Sequence, residues 1–310
     1  MVYNMYMFPN ATFHHKNKNG LDLLINQGYF NKVDSIDESH FIFIPCLPSN
    51  IENLSDIIDI YDIKYKNKLF ILGPHFCVFP TNFVKSLDST INNNIVYNTL
   101  SEWVKLYVFK QHLNDKLSLA TLPFPVDIEK FKPDESISND SKNTILIYIK
   151  NRNENDYNFI IDYIYNKYNL FNIAIFKYGS YNENDYINTL NKSKFCIWVG
   201  THESQGFALQ EALSLNVPLL VFNVTNMGQE AGFENDYNYL NTKATVLSYW
   251  DEKCGEFFTN KDDFIDTFNK FLLKLESNKY NPREFIINNL NTESVYNNYW
   301  KPVIESKVIL

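Results

Sequence analysis

Short apolar runs recur along the chain, separated by polar stretches long enough to form helices. This alternation is typical of parallel strands joined by crossover helices, because a strand covered on both faces is apolar throughout. In the first half, the runs predict strands at Val2–Phe8, His40–Pro45, Lys68–Leu72, Asn94–Tyr97 and Leu117–Leu122. Gly73-Pro74 and Pro123-Phe124-Pro125 end two of these runs, since proline cannot donate to a strand ladder. The first half is therefore predicted to form one α/β layer.

The alternation restarts after a polar, turn-rich segment at residues 132–142, which has little to bury. The later runs predict strands at Thr144–Ile149, Asn172–Phe176, Phe195–Val199 and Pro218–Phe222. Helices are predicted at about Glu154–Tyr168, Glu183–Asn191, Gln205–Leu215, Lys261–Ser277 and Pro282–Ser306.

This pattern predicts an α/β fold of two Rossmann-like, doubly wound domains. We expect an N-terminal domain at residues 1–131, a linker at 132–142 and a C-terminal domain at 143–285. The last helix, at about residues 286–306, is rich in Tyr and Trp and is expected to pack back on the first domain.

Composition narrows the functional classes. The chain has 310 residues, 45% of them hydrophobic, which fits two globular units of ordinary size. A net charge of -8 without a Lys/Arg cluster argues against a nucleic-acid partner. Cys46, Cys77, Cys196 and Cys254 lie far apart, as expected for free thiols in a reducing compartment. The chain shows no basic leader and no apolar stretch long enough to span a membrane, so we expect a cytoplasmic protein without a transmembrane segment.

The most informative segment is residues 200–213, GTHESQGFALQEAL, between two predicted strands. Ligands of open α/β sheets bind beyond the carboxyl ends of strands, where a helix N-terminus presents backbone amides to an anion. Gly206 permits close backbone approach, and the amides of Phe207 and Ala208 follow it, so the segment can hold a diphosphate. Glu203 precedes this turn and Glu211 lies within the helix, where a carboxylate can accept hydrogen bonds from a ribose diol.

The Glu203-x7-Glu211 spacing, followed by Ala212-Leu213, resembles the donor-site signature of retaining GT-B glycosyltransferases, especially glycosyltransferase family 4. Residues 123–133, PFPVDIEKFKP, resemble the interdomain segment of the same family. The resemblance covers the C-terminal half well and the N-terminal half only in its α/β rhythm. It implies two domains facing across a cleft, with residues 1–131 as the acceptor domain and residues 143–285 as the nucleotide-sugar donor domain.

The resemblance also implies roles for individual residues. Glu203 would contact hydroxyls of the transferred sugar and Glu211 the nucleotide ribose, with Lys150 and Arg152 as a basic pair after the first strand of the second domain. Fixed cations aimed at a diphosphate would stabilise charge that grows during transfer. The remaining donor-binding candidates are His202, Ser204, Gln205, Gly206, Phe207 and Ala208.

His14, beside His15, follows the first strand and is the acceptor-side candidate for proton transfer, and His75 is a weaker one. Each of these residues also has an ordinary structural explanation: a helix cap or solvated face for the glutamates, an exposed turn for the cations, and a loop position for the histidines.

The resemblance thus implies a retaining, metal-independent glycosyltransferase of the hexosyltransferase type. Its donor would be a nucleotide-diphosphate sugar, its acceptor a carbohydrate or glycoconjugate hydroxyl, and it would need no cofactor. The chain lacks the Asp-x-Asp triplet that would hold a metal in another glycosyltransferase fold. Two alternatives remain: a sugar-nucleotide epimerase, and a non-catalytic module that binds a sugar nucleotide or a glycan. The module is favoured by the absence of a glycine-rich loop after the first strand, where no glycine occurs before Gly20.

Overall fold

The structure is a computed structural model that describes residues 2–8, 13–45, 68–74, 94–109 and 118–308. His75, Cys46 and Cys77 lie outside the described residues. The described cysteines, Cys196 and Cys254, are buried free thiols.

The chain divides into two compact units, one comprising Met1–Pro125 with Leu290–Leu310 and the other comprising Val126–Asn289. The boundary after Pro125 places residues 126–131 in the second unit, whereas the sequence analysis assigned them to the N-terminal domain. Phe131 is buried, and its carbonyl accepts a hydrogen bond from the Ser214 hydroxyl within the second unit.

Each unit contains one parallel sheet. The described strands of the first unit are β1 (Tyr3–Met7), β2 (Phe30–Val33), β3 (Phe41–Ile44), β4 (Leu69–Leu72), β5 (Ile95–Asn98) and β6 (Ser118–Ala120). They are ordered β2-β1-β3-β4-β5-β6. The second unit contains β7 (Thr144–Ile149), β8 (Asn172–Lys177), β9 (Ser193–Val199), β10 (Leu219–Phe222) and β11 (Gly255–Phe258), ordered β11-β10-β9-β7-β8.

The described α-helices are α1 (His15–Asn26), α2 (Glu154–Lys167), α3 (Glu183–Lys192), α4 (Phe207–Ser214), α5 (Tyr237–Asn241), α6 (Phe264–Glu276), α7 (Pro282–Asn289), α8 (Thr292–Val295) and α9 (Lys301–Lys307). π-helical turns occur at Val104–Phe109 and Tyr296–Trp300.

Local sequence explains the helices that carry the second sheet. Asn153 and Asn182 cap α2 and α3, their side chains accepting hydrogen bonds from the amides of Asn155 and Asp185. Acidic residues lie in the first turn of each helix and a lysine in the last, which suits the helix dipole. Every residue of β7 is buried, as expected for a central parallel strand covered on both faces.

Candidate functional site

Three central strands of the second sheet end in register. Ile149 of β7 pairs with Val199 of β9, which pairs with Phe222 of β10. The residues that follow, including Lys150 and Gly200, therefore lie along one carboxyl edge of the sheet, where parallel α/β folds bind ligands.

Lys150 and Glu203 form an ion pair at this edge. Lys150 Nζ lies 2.8 Å from Glu203 Oε2, with the side chains 18% and 11% exposed. The lysine also lies over the ring of Tyr178, 4.8 Å from its centroid. A pair that is largely desolvated but still reachable from solvent holds a carboxylate and a cation in fixed positions for a ligand.

The backbone of Glu203 is fixed on both sides. Its amide donates to the Thr245 carbonyl at 3.1 Å, and its carbonyl accepts from the Ser248 hydroxyl. Thr245 and Val246 are in turn held by the side-chain oxygen of Asn223, directly after β10. The loop at 245–248 thus positions Glu203, a contribution that spacing in the sequence did not reveal.

Arg152 lies in a different environment from Lys150. Asn151, between them, has a φ of +48°, a left-handed conformation that asparagine tolerates and that turns the chain. The Arg152 side chain is 1% exposed; Nη1 donates to the Gly200 carbonyl at 3.2 Å, and the guanidinium lies 4.5 Å from the centroid of the Phe222 ring. Burial lowers the Arg152 pKa while Asp156 opposes the shift, and a guanidinium remains charged. Arg152 therefore ties the turn after β7 to the start of the loop that carries Glu203.

His202 is buried beside Glu230, with 3.7 Å between His202 Nε2 and Glu230 Oε2. Burial, assisted by the charge of Lys150, lowers the pKa of His202 to about 4, so the imidazole is neutral at pH 7 and the contact is not an ion pair there. Burial raises the pKa of Glu230, although Asn151, donating to Oε1 at 3.0 Å, works against that shift. Sequence reasoning missed Glu230; its position shortly after an apolar run that ends at the same edge was the available signal.

Gly206 caps the N-terminus of α4 with φ +86° and ψ +50°, the left-handed region that glycine enters without strain. The first amides of α4, including those of Phe207 and Ala208, have no acceptor within the helix, and the helix begins a few residues after β9 ends at this edge. Gln205 is buried and bonded to Gln210, whose amide donates back to the Gln205 carbonyl at 2.7 Å. Ser204, between Glu203 and Gln205, is half-buried.

Glu211 is buried in α4, and the rings of Tyr148, Tyr181 and Tyr186 form a cluster with centroids 5.1 to 6.0 Å apart. Burial raises the pKa of Tyr186, and Glu211 contributes in the same direction; burial raises the pKa of Tyr148, and Tyr181 and Glu203 contribute. The Tyr148 and Tyr186 rings lie 6.0 Å apart. The two glutamates thus act on neighbouring phenols of one cluster.

His14 lies in the first unit, at the N-terminal cap of α1, with its ring 4.4 Å from that of His15. The donor-side candidates, namely Lys150, Arg152, residues 202–208 and Glu211, lie in the second unit. Within the described ranges, no group of three or more His, Cys, Asp or Glu side chains is arranged to hold a metal ion. None of the helices in those ranges combines the length and apolar character that crossing a bilayer requires.

Neither a family model nor a curated protein matches the sequence. The fold, by contrast, matches solved structures over nearly the whole chain. It is similar to sucrose-phosphate synthase from Thermosynechococcus elongatus, with a TM-score of 0.53, 9% identity and 99% of each chain covered. It is also similar to the apo form of the lipopolysaccharide outer core galactosyltransferase WaaB, with a TM-score of 0.51 and 12% identity. That match covers 99% of this chain and 100% of the other.

The catalytic domain of starch synthase IV from Arabidopsis thaliana, bound to ADP and acarbose, gives a TM-score of 0.53 and 10% identity, covering 94% of this chain and 76% of that one. Identities this low establish the fold alone. Together with the two parallel sheets, they show that the chain has the two-domain, Rossmann-like GT-B fold, and the predicted fold class is confirmed.

Proposed function

We propose that the chain is a retaining, metal-independent glycosyltransferase that transfers a sugar from a nucleotide-diphosphate sugar to a hydroxyl of a carbohydrate or glycoconjugate. The observation that carries the proposal is the Lys150–Glu203 pair at the carboxyl edge of a parallel sheet, next to the N-terminus of α4. The GT-B fold supports it, as do the glycosyltransferases among the proteins with similar structures.

The proposed roles follow from charge and position. The amides at the start of α4 and the Lys150 ammonium would bind the diphosphate, and they would stabilise the charge that develops as it leaves. Glu203 would accept hydrogen bonds from hydroxyls of the transferred sugar, while Glu211 would bind the ribose. Arg152, being enclosed, would position the turn that carries Lys150 rather than touch the substrate.

Transfer breaks the bond between the sugar anomeric carbon and the diphosphate oxygen, and forms a bond from the acceptor oxygen to that carbon on the same face. The acceptor proton would pass to the departing diphosphate, which takes the electron pair of the broken bond. Neutral His202 beside Glu203 would orient the sugar by hydrogen bonding, since its lowered pKa keeps it uncharged.

The test is a donor panel of UDP-, GDP- and dTDP-sugars, followed by thermal shift and by release of free nucleotide. We expect one donor to stabilise the protein and to be turned over, and Glu203→Gln to abolish release. Glu256→Gln is a matched control, because Glu256 has the same 9% exposure and also pairs with lysines, Lys270 and Lys274. It should lose stability but retain turnover.

Other outcomes identify the alternatives. Binding of a sugar nucleotide without release would indicate a recognition module, and its conversion to a second sugar nucleotide would indicate an epimerase. Release that survives Glu203→Gln would contradict the proposed site.

A further inference from the structure

The segment after β10 presents aromatic side chains to solvent near the candidate site. Residues 231–238 are all exposed, and among them Phe233 is 38% and Tyr237 78% exposed. Single exposed apolar residues are ordinary on protein surfaces, whereas exposed apolar residues that cluster on one segment mark binding sites.

The rings are held in place rather than loosely displayed. The Phe233 ring stacks on that of Tyr239, with centroids 4.3 Å apart and planes at 10°. The Asp236 carboxylate caps α5, accepting from the amides of Asn238 and Tyr239. Leu240 packs so closely on Gly228 that a Cβ there would lie 2.8 Å from Leu240 Cδ2. The stack is therefore a preformed surface, which loses little conformational freedom when it binds a ligand.

This surface is continuous with the candidate site. The Tyr239 ring lies 6.5 Å from that of His202. The Phe233 amide donates to the Glu230 carbonyl at 3.1 Å, and the Ala231 amide donates to the Asn151 carbonyl at 2.8 Å. The loop thus begins at the carboxylate that contacts His202 and at the turn that carries Lys150.

The chemistry of the loop matches one class of ligand. Phe233, Tyr237 and Tyr239 supply flat apolar faces, and between them lie the polar side chains of Glu234, Asn235 and Asn238. A pyranose ring has the complementary surface, with a C–H face that packs on an aromatic ring and a rim of hydroxyls that bond to carboxylates and amides.

We propose that the aromatic loop at residues 231–241 binds the carbohydrate acceptor, with its sugar ring packed against Phe233 and Tyr237. This inference rests on the proposed transferase function, and it places acceptor contacts on the unit that would also bind the donor.

The experiment measures glycan and nucleotide binding separately. Saturation-transfer NMR with maltotriose, cellotriose, chitotriose and α-mannotriose identifies a bound glycan, and calorimetry gives its dissociation constant. Phe233→Ala and Tyr237→Ala should each weaken binding about tenfold, whereas Tyr237→Phe should retain most of it. Tyr165→Ala is the matched control, because Tyr165 is 49% exposed on α2 of the same unit, and it should change nothing. UDP, GDP and dTDP binding should be unaffected by every one of these variants.

The outcomes separate this inference from the proposed function. Failure of all four glycans to bind the wild type, or binding that survives both alanine variants, overturns the acceptor loop while leaving donor turnover intact. Loss of self-association in Tyr237→Ala, measured by sedimentation, would assign the patch to a protein interface and would also overturn it. If the protein bound glycans through this loop but bound no nucleotide, the proposed transferase function would be wrong and the glycan site would stand.

Discussion

His202 shows at the residue scale how burial sets chemistry. Its Nε2 lies 3.7 Å from Glu230 Oε2, yet burial of the ring, together with the nearby charge of Lys150, lowers its pKa to about 4. An imidazole that stays neutral through the physiological range can accept or donate a hydrogen bond to a sugar hydroxyl, but it cannot serve as a cation there.

The same shift predicts a pH dependence of stability. The pKa of His202 falls from 6.5 in the unfolded chain to about 4 in the fold, so the unfolded state binds more protons between these values. Stability from this group is therefore fully present above pH 6.5 and is lost as the pH falls to 4, by about 3 kcal/mol. Urea unfolding from pH 7 to pH 4.5 should show a shallower decline in His202→Asn than in the wild type. The raised pKa of Glu230 has the opposite effect on stability, but Glu230 is present in both proteins and does not distinguish them. If stability declined equally with falling pH in both proteins, His202 would not be the group responsible.

Gly206 gives a second prediction at this scale. Alanine at φ +86° costs about 1–2 kcal/mol, although its Cβ would meet Glu203 Cβ at an ordinary 3.4 Å. We expect Gly206→Ala to lower stability and also to weaken nucleotide binding, since relief of the strain moves the start of α4. Gly28→Ala, at φ +78° in the first unit with open space around it, is the control. Gly28→Ala should lower the free energy of unfolding by a similar amount and leave nucleotide binding unchanged. Equal effects of the two variants on nucleotide binding would refute a role for Gly206.

At the scale of elements, continuous apolar runs made the central strands predictable. Thr144–Ile149 is a strand with the predicted bounds, and α2 and α3 end within a residue of theirs, because caps and charge placement mark them locally. The pattern missed β2 (Phe30–Val33) and β11 (Gly255–Phe258), short edge strands whose alternating residues carry too few apolar positions to stand out. It also predicted no helix at α1, which has no acidic first turn and no side-chain cap.

The predicted helix at Pro282–Ser306 is interrupted, which is a correction to the sequence analysis. α7 ends at Asn289, and the side chain of Asn291 accepts from the Ser294 amide, which starts a new helix. Asparagine competes with the helix for its own backbone, so a local cap outweighs the surrounding apolar periodicity. The break falls where one compact unit ends and the other resumes.

The candidate site was predictable only in part. The glycine and the spacing of Glu203 and Glu211 are local signals, whereas Glu230 and the loop at 245–248 reach the site through the order of the strands. A side chain that arrives through sheet topology leaves no spacing to read along the sequence. The enclosure of Arg152 is likewise a tertiary effect, set by Phe222 and the Gly200 carbonyl.

Arg283, at the start of α7, connects three separate parts of the second unit. Its guanidinium donates to the carbonyls of Phe131 at 3.0 Å, Ser214 at 2.7 Å and Ile128 at 3.1 Å, joining the segment after Pro125 to the end of α4. Arg283→Ala leaves three acceptors without this donor and should lower unfolding free energy by about 2 kcal/mol. Arg283→Lys should recover little, because an ammonium lacks the planar fork. Urea unfolding measures these changes. Lys279→Ala, at an exposed position on the preceding turn, is the control and should leave the unfolding free energy unchanged. A similar loss in this control would show that the effect is not specific to the Arg283 guanidinium.

At the scale of the whole molecule, the C-terminal segment completes the core of the first unit. Trp300 is fully buried; its indole donates to the Pro123 carbonyl at 2.8 Å, and its ring lies 5.5 Å from that of Phe30 and 5.6 Å from that of Phe124. The first unit is therefore built from two separated stretches of chain, and its core is incomplete without the segment that contains Trp300.

Trp300→Ala tests this division. Removing a fully buried indole should cost about 3–5 kcal/mol, and the loss should fall on the unit whose core it fills. Hydrogen exchange read by mass spectrometry should show faster exchange in peptides from β1 to β3 and unchanged exchange in peptides from β7 to β10. Trp198→Ala, an equally buried tryptophan in the second unit, should give the reverse pattern. Each variant is the control for the other. If either variant sped up exchange in the strands of both units, the two units would not open separately, and their stabilities could not be described one by one.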